Sequence, residues 1–332
     1  MLRVIQIGLG PLGRKTVQFA AERPALRVVA AVDPSPDIAG RQLSDLCGAG
    51  GAIAVASSLP AALSAAAEPP EVAILTTYSD LDRVEAQLCE LADAGLPVVS
   101  TCEELSYPWI THPDHAARID ARFRERGLAC LGTGVNPGFL MDYLPAVLTG
   151  LCRSVRHVTV RRVQDASTRR VPFQVKIGAC LSIEEFAARV AEGTLRHVGL
   201  PESTHFLAAA LGLRLERVEE ELRPVLADLP VTTGFRPIDP GTACGVEQIA
   251  RGYAEGREVV RLEFRATVGE AESFDQVEID GEPPLLSTIA GGVNGDIATC
   301  AVVLNALAVV ATAPPGLHTM LDLPIPTAGR TV

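Results

Sequence analysis

No stretch of the 332-residue chain is apolar for the length of a bilayer crossing. The longest candidate, residues 297 to 313, is interrupted by Thr299, Asn305 and Thr312, and it reads as a buried helix. The N-terminus lacks a basic segment followed by an apolar one, so no signal peptide is expected. The eight cysteines form no C-x-x-C pair, and most resemble Cys130, which sits between Ala129 and Leu131. In a chain this long such spacing excludes a disulfide framework or a thiolate zinc site. Reduced core thiols, no bound metal and a cytoplasmic protein are expected instead. Positive charge is scarce, with 29 Lys and Arg against 40 Asp and Glu. The net charge of −11 argues against a non-specific nucleic-acid binder. Repeats and low-complexity segments are absent too. A hydrophobic content of 48% excludes disorder, and the length calls for two domains.

What is present begins at the N-terminus. Val4 to Ile7 reads as a buried strand running into Gly8-Leu9-Gly10-Pro11-Leu12-Gly13, a G-x-G-x-x-G turn that opens a helix. Gly8 permits the tight turn, Gly10 lets the backbone approach a pyrophosphate, and Gly13 lets the helix pack on the strand. The helix N-terminus presents N–H groups and a positive dipole end to phosphates. A second strand, residues 27 to 32, leads to Asp33 about twenty residues past the last glycine, where a ribose-binding acid is expected. Asp33 favours a free ribose 2′-hydroxyl and hence NAD. Arg41, shortly after Ser35 in the same connection, suits a 2′-phosphate and hence NADP. Both cofactors stay open.

Further strands are expected at 71–77, 97–101 and 128–132, with helices at 59–67, 81–94 and 115–126 between them. This alternation describes an α/β protein with a doubly wound parallel sheet. The pattern changes near Asn136-Pro137-Gly138. A helix over 140–151 follows, then long alternating strands at 156–163, 258–268 and 273–279. In the first of these, His157, Thr159 and Arg161 share one face, and Val158 and Val160 the other. Helices are expected at 182–192 and 213–225. This is an α+β second domain whose sheet is mainly antiparallel or mixed. The division expected is residues 1–138 completed by 295–332, and 139–294.

Ligands of open parallel sheets sit beyond the carboxyl ends of the strands. Thr76, Thr77 and Tyr78 lie at one such end, placed for the nicotinamide ribose. Glu103 and Glu104 lie at another. Many Rossmann-type dehydrogenases with an α/β second domain carry a lysine here, one residue beyond a Glu or Asn. On that comparison Glu104 takes the lysine's place toward the substrate, and Glu103 supports it. A carboxylate there suits a cationic substrate or one passing through an ammonium or iminium state. The competing reading is that both are acids at a helix N-terminus, stabilised by its dipole. Arg161, Arg162, Arg169 and Arg170 form a basic cluster that either binds a carboxylate or cofactor or is solvated. His197 and His205 read as structural first and as site residues second.

Several segments together resemble one family. They are Ile7–Gly13, Ser100-Thr101-Cys102-Glu103-Glu104-Leu105, Gly134-Val135-Asn136-Pro137-Gly138-Phe139, Lys176-Ile177-Gly178, His197 to Ser203, and Gly292-Val293-Asn294-Gly295-Asp296. The chain resembles the 2,4-diaminopentanoate dehydrogenases and native amine dehydrogenases, which are related in fold to dihydrodipicolinate reductase. The resemblance implies a Rossmann domain, an α/β substrate and dimerisation domain, and a homodimer. It implies reversible reductive amination with NAD(P)H, in which a ketone or aldehyde and ammonia give a primary amine. The family's active-site glutamate falls on the Glu-Glu stretch and is placed on Glu104. Asn136, Pro137, Gly138 and Phe139 would line the cleft for nicotinamide and substrate. Dihydrodipicolinate reductases carry a His-His pair where this chain reads Val163-Gln164-Asp165-Ala166-Ser167-Thr168, which argues against that reaction. A diamino acid would need Arg161, Arg162 or Arg169 for its carboxylate. A simple ketone would need an apolar pocket of Phe139, Tyr143 and Phe173. An alcohol or semialdehyde dehydrogenase and a non-catalytic nucleotide sensor are the alternatives.

Overall fold

A computed structural model describes residues 1–167, 169, 171–233 and 235–328. The short apolar runs of the N-terminal region form strands covered on both faces, as parallel sheets require. In chain order they are β1 (Leu2–Ile7), α1 (Pro11–Ala21), β2 (Leu26–Val32), α2 (Leu43–Cys47), α3 (Leu59–Ala65), β3 (Val72–Leu75), α4 (Leu81–Asp93) and β4 (Val98–Ser100). A 3₁₀ turn (Glu103–Ser106), α5 (Pro108–Thr111), α6 (Pro113–Arg126) and β5 (Ala129–Gly132) follow. α4 shows why these residues are helical. Leu81, Val84, Leu88 and Leu91 recur at helical spacing and are buried, and the Asp80 side chain caps the first turn by accepting from the Arg83 N–H.

The second series is α7 (Tyr143–Thr149), β6 (Ser154–Asp165), α8 (Val171–Lys176), α9 (Ile183–Ala191), α10 (Leu200–Ala210), β7 (Arg217–Leu226), β8 (Ala243–Ala254), β9 (Arg257–Thr267), β10 (Phe274–Glu282) and β11 (Leu285–Ala290). The chain then adds α11 (Gly295–Val310) and β12 (Gly316–His318). Two compact units result, one of Met1–Phe139 with the segment from Asn294 on, the other Leu140–Val293.

In the first unit the sheet order is β12-β5-β4-β3-β1-β2, and every pairing is parallel. The strand order reverses at β1, so a crevice opens beyond the carboxyl ends of β1 and β3. α11 belongs to this unit. It lies beside α1, where the Thr16 hydroxyl meets Cys300 Sγ at 3.3 Å and Arg23 donates to Asn305 Oδ1 at 2.7 Å. Its buried residues cover well over half of its circumference, the pattern of a largely enclosed element. Among the described residues no helix is long and apolar enough to cross a membrane.

In the second unit the order is β11-β10-β6-β9-β8-β7. β6 and β9 run parallel and the other pairs antiparallel, so the sheet is mixed. The alternation along β6 is as the sequence implies, with Val158 and Val160 buried. Residues 213–225 are a correction. Instead of a helix, Arg217–Leu226 is an edge strand paired with β8. The run Glu219-Glu220-Glu221-Leu222 has helix-forming side chains, but Pro224 breaks a helix and is tolerated at a sheet edge. Pairing with β8 outweighs local propensity here.

Candidate active site

The glycine turn has three different surroundings. Gly8 has φ +86°, and a Cβ on it would lie 2.6 Å from the Thr76 carbonyl oxygen. A Cβ on Gly13 would lie 2.0 Å from the Gly8 oxygen. A Cβ on Gly10 would meet nothing within 4 Å. Two glycines thus allow backbone to touch backbone, and the third keeps a space open in front of α1. That helix begins with Pro11, has no side-chain cap and carries no acid in its first turn, so none of its own first-turn side chains offsets its positive end.

The turn is held from below and from both sides. Gln6, buried in β1, donates to the Gly8 oxygen at 2.9 Å and to Thr76 Oγ1 at 2.8 Å. The Thr76 hydroxyl also meets the Gly8 oxygen, at 3.0 Å. Leu9 is clamped at both ends of its peptide units, with its N–H on Asp33 Oδ2 at 2.7 Å and its carbonyl accepting from Arg14 Nε at 2.8 Å. Gln6 and Arg14 escape a motif search because nothing in their spacing marks them. Only the fold brings them to the turn.

Asp33 follows β2 directly and is buried. Its second oxygen accepts the Ser35 N–H at 3.0 Å, so the carboxylate is held in one orientation. Arg41 is exposed at the far end of the same connection. The structure separates the three residues named after β3. Thr76 supports the glycine turn, the Thr77 hydroxyl donates to Gln87 Oε1 at 2.6 Å, and exposed Tyr78 has the Arg83 guanidinium over its ring at 4.2 Å.

Glu103 and Glu104 open the 3₁₀ turn after β4, so neither sits at an α-helix N-terminus of its own. Glu104 nevertheless serves one. It is 7% exposed, and its Oε2 accepts the N–H of Leu81, the first residue of α4, at 2.9 Å. Ser79 fixes the same loop, its carbonyl accepting from the Glu104 N–H at 3.3 Å and from Cys102 Sγ at 3.2 Å. Nε2 of His112 stands 3.4 Å from Glu104 Oε2. Glu103 is half-buried. The Asn136-Pro137-Gly138 segment follows β5 with a cis Asn136–Pro137 bond, and its start is tied to α11 where Val135 N–H donates to Thr299 Oγ1 at 3.2 Å. Phe139 is half-buried at the end of this segment.

In the second unit Tyr143 is buried as the first residue of α7. Burial raises its phenol pKa. Buried Asp142 accepts the Tyr143 N–H at 2.7 Å and the Ser203 hydroxyl at 2.8 Å. Phe173 carries the Arg169 guanidinium over its ring at 4.2 Å, so its face is not simply apolar. Arg161 and Arg162 are occupied within the sheet. Arg161 pairs with Glu263 at 3.1 Å and Glu278 at 2.8 Å, and Arg162 pairs with Asp275. Neither is a bare carboxylate anchor, and Arg162 is buried, not solvated. Arg170 lies outside the described residues. His197 is half-buried, with its Nδ1 donating to the Val198 carbonyl at 2.8 Å and its N–H to Gln248 Oε1 at 2.7 Å. Burial, then the charge of Lys176, bring its pKa down to about 4, so the ring is neutral at pH 7. Burial also lowers the pKa of His205. Among the described residues no group of His, Cys, Asp and Glu is arranged to hold a metal.

A 2,4-diaminopentanoate dehydrogenase from Acetoanaerobium sticklandii is 31% identical over 264 residues, 78% of this chain and 75% of that protein. The model of the 2,4-diaminopentanoate dehydrogenase C-terminal domain matches residues 139–331. The chain belongs to the 2,4-diaminopentanoate dehydrogenase family. An amine dehydrogenase from Streptomyces virginiae is 24% identical, with 99% of this chain and 98% of that protein covered. The fold is that of an amine dehydrogenase structure from Mycobacterium smegmatis, with a TM-score of 0.85 at 24% identity over 98% of this chain and 97% of the other.

The dehydrogenases of this family use NAD(P), and the first unit fits such a group. Gly10 leaves the space, the bare α1 N-terminus supplies the positive end, and Asp33 is oriented for a ribose. This makes a contrast between two substitutions. Gly13→Ala forces a methyl against the Gly8 carbonyl and should cost about 1–3 kcal/mol or more of stability. Gly10→Ala should leave the melting temperature unchanged and weaken the cofactor by about tenfold or more, near 1.4 kcal/mol. Thermal melts and NADH fluorescence titrations check both. Equal affinity in Gly10→Ala and wild type would refute the assignment of the space.

Proposed function

We propose that the chain is an NAD(P)-dependent amine dehydrogenase that converts a ketone or aldehyde and ammonia into a primary amine, reversibly, with Glu104 as the acid–base group. The observation that carries the reading is the Glu104 carboxylate, buried at the carboxyl end of β4 and held by the first N–H of α4. A carboxylate held in a fixed position is what an ammonium or iminium centre requires. Glu104 takes a proton from ammonium, supports loss of water from the carbinolamine, and faces the iminium charge. Glu103 supports it from the same turn. When bound, the nicotinamide supplies the hydride that reduces the iminium carbon. The chain's own task is to orient the reactants and to hold the charge, the two effects that contribute most to such rates.

Asp33 favours NADH, because a 2′-phosphate would meet its oriented carboxylate. Arg41, exposed beyond it, is the residue that would accept NADPH. The first unit takes the role of cofactor domain, and the second that of substrate binding and dimerisation in a cytoplasmic homodimer. Arg161 and Arg162 already face carboxylates of their own sheet, which favours an amine without a carboxylate at those residues. The likeness to the Acetoanaerobium sticklandii enzyme makes 2,4-diaminopentanoate the competing substrate.

The test is oxidation of NADH and of NADPH with a panel of ketones and aldehydes, with and without ammonium, run alongside reduction of NAD(P)⁺ by simple amines and by 2,4-diaminopentanoate. Turnover should require carbonyl and ammonium together, and the amine should be found by mass. Carbonyl reduction indifferent to ammonium would make the chain an alcohol-type dehydrogenase. Tight NADH binding without turnover would make it a sensor.

A further inference from the structure

The proposed reduction consumes one proton from outside for each amine formed. Ketone, ammonium, hydride and one proton balance alkylammonium and water. Glu104 is buried, so any proton it hands to the reacting centre must be replaced through a neighbouring group. That neighbour is visible within the first unit. His112 stands between α5 and α6, and its Nε2 lies 3.4 Å from Glu104 Oε2. Its side chain is 31% exposed, so one residue touches both the buried carboxylate and water.

Two of the groups facing His112 are Glu104 from the 3₁₀ turn and His115 from α6. The two imidazoles meet edge to face with centroids 6.1 Å apart. His115 is itself held between two carboxylates of α4, with Nδ1 on Glu85 and Nε2 3.1 Å from Asp82, and Arg118 binds Glu85 at 2.7 Å. This arrangement steadies the wall on which His112 leans and places several exchangeable protons beside it. His115 is occupied by carboxylates on both ring nitrogens, whereas His112 approaches Glu104 directly.

We propose that His112 is the positioning and proton-exchange partner of Glu104. The inference rests on the acid–base role given to Glu104. One imidazolium N–H bond breaks as one carboxyl O–H bond forms, the imidazole then takes a proton from water, and no electrons change hands. In deamination the same steps run backward. Histidine suits the task because each ring nitrogen can either hold a proton or accept one.

The experiment compares His112→Gln, His112→Ala and Glu104→Gln in the full-length protein, with NADH titration and thermal melts as controls for folding. His112→Gln keeps a polar side chain but cannot carry a proton. It should lose about tenfold or more in kcat, with the KM for ketone nearly unchanged. Imidazole in the buffer should restore His112→Ala in a saturable way. In protein without cofactor, the ¹⁵N ring resonances of His112 should move on Glu104→Gln, a readout that needs no turnover. Wild-type kcat in His112→Gln overturns the proposal, as does a defect in His112→Ala that glutamine repairs and imidazole does not. Full activity in Glu104→Gln overturns the reading of Glu104 itself. An inactive Glu104→Gln beside a fully active His112→Gln overturns the relay alone.

Discussion

Glu104→Gln should lower kcat for ammonia-dependent carbonyl reduction by about 10²- to 10⁴-fold, the usual contribution of a positioned acid–base group. NADH affinity should stay near that of wild type, because the glycine turn and Asp33 are held by other contacts. The choice of glutamine matters. Glu104 Oε2 accepts the Leu81 N–H, one of the donors that α4 cannot satisfy within itself. Glutamine keeps an acceptor there, so Glu104→Gln isolates the chemistry. Glu104→Ala removes the acceptor too and should destabilise the protein by about 1 kcal/mol, the typical worth of an N-terminal cap. Steady-state kinetics and thermal melts on both variants separate the two roles. Glu103→Gln, measured in parallel, should cost much less. If Glu103→Gln is the inactive one and Glu104→Gln retains more than about a tenth of the rate, the roles of the two carboxylates must be exchanged.

Asp275→Asn should destabilise the second unit by about 3–5 kcal/mol, the cost of leaving a buried charge without its partner. Arg162 is 2% exposed and pairs with Asp275 across β6 and β10. The pair also fixes Val293 at the end of the unit. Asp275 Oδ2 accepts the Val293 N–H at 2.7 Å, and Arg162 and Gln164 both donate to the Val293 carbonyl at 2.9 Å. At roughly 2–4 °C per kcal/mol for a unit of this size, calorimetry should show its transition falling by about 6–20 °C. The double variant Arg162→Met with Asp275→Leu removes both charges and should recover most of that loss, because a buried ion pair is costly to break but replaceable by packed apolar groups. A single variant as stable as wild type would mean that water reaches Arg162.

The parts of the molecule legible without coordinates are those governed by local rules. The turn at Gly8, Gly10 and Gly13 depends on sterics within a few residues, and each glycine has the surroundings its position requires. The buried strands of the first sheet and helices such as α4 follow from short apolar runs and helical spacing, which need no distant partner to be read. The Glu103-Glu104 pair stands out because a strand end of a parallel sheet is a known address for chemistry.

The rest depended on residues far apart in the chain. Residues 217–226 carry helix-forming acids, yet they lie as an edge strand because β8 offers a ladder of hydrogen bonds. β12 completes the first sheet beside β5 from the other end of the chain. Arg162 reads along the chain as part of a basic cluster and is a buried strut whose partner lies on β10. Thr76 is expected near the cofactor from its place at a strand end, and only the fold shows that its hydroxyl also meets the Gly8 carbonyl together with Gln6. His112 carried no signal of its own, since what distinguishes it is the 3.4 Å to Glu104 created by the turn between α5 and α6. Periodicity and turn sterics act over a few residues, so they are written along the chain. The choice of partner for a buried polar group is made by whichever side chains the packed fold delivers to it, and only the tertiary structure decides that.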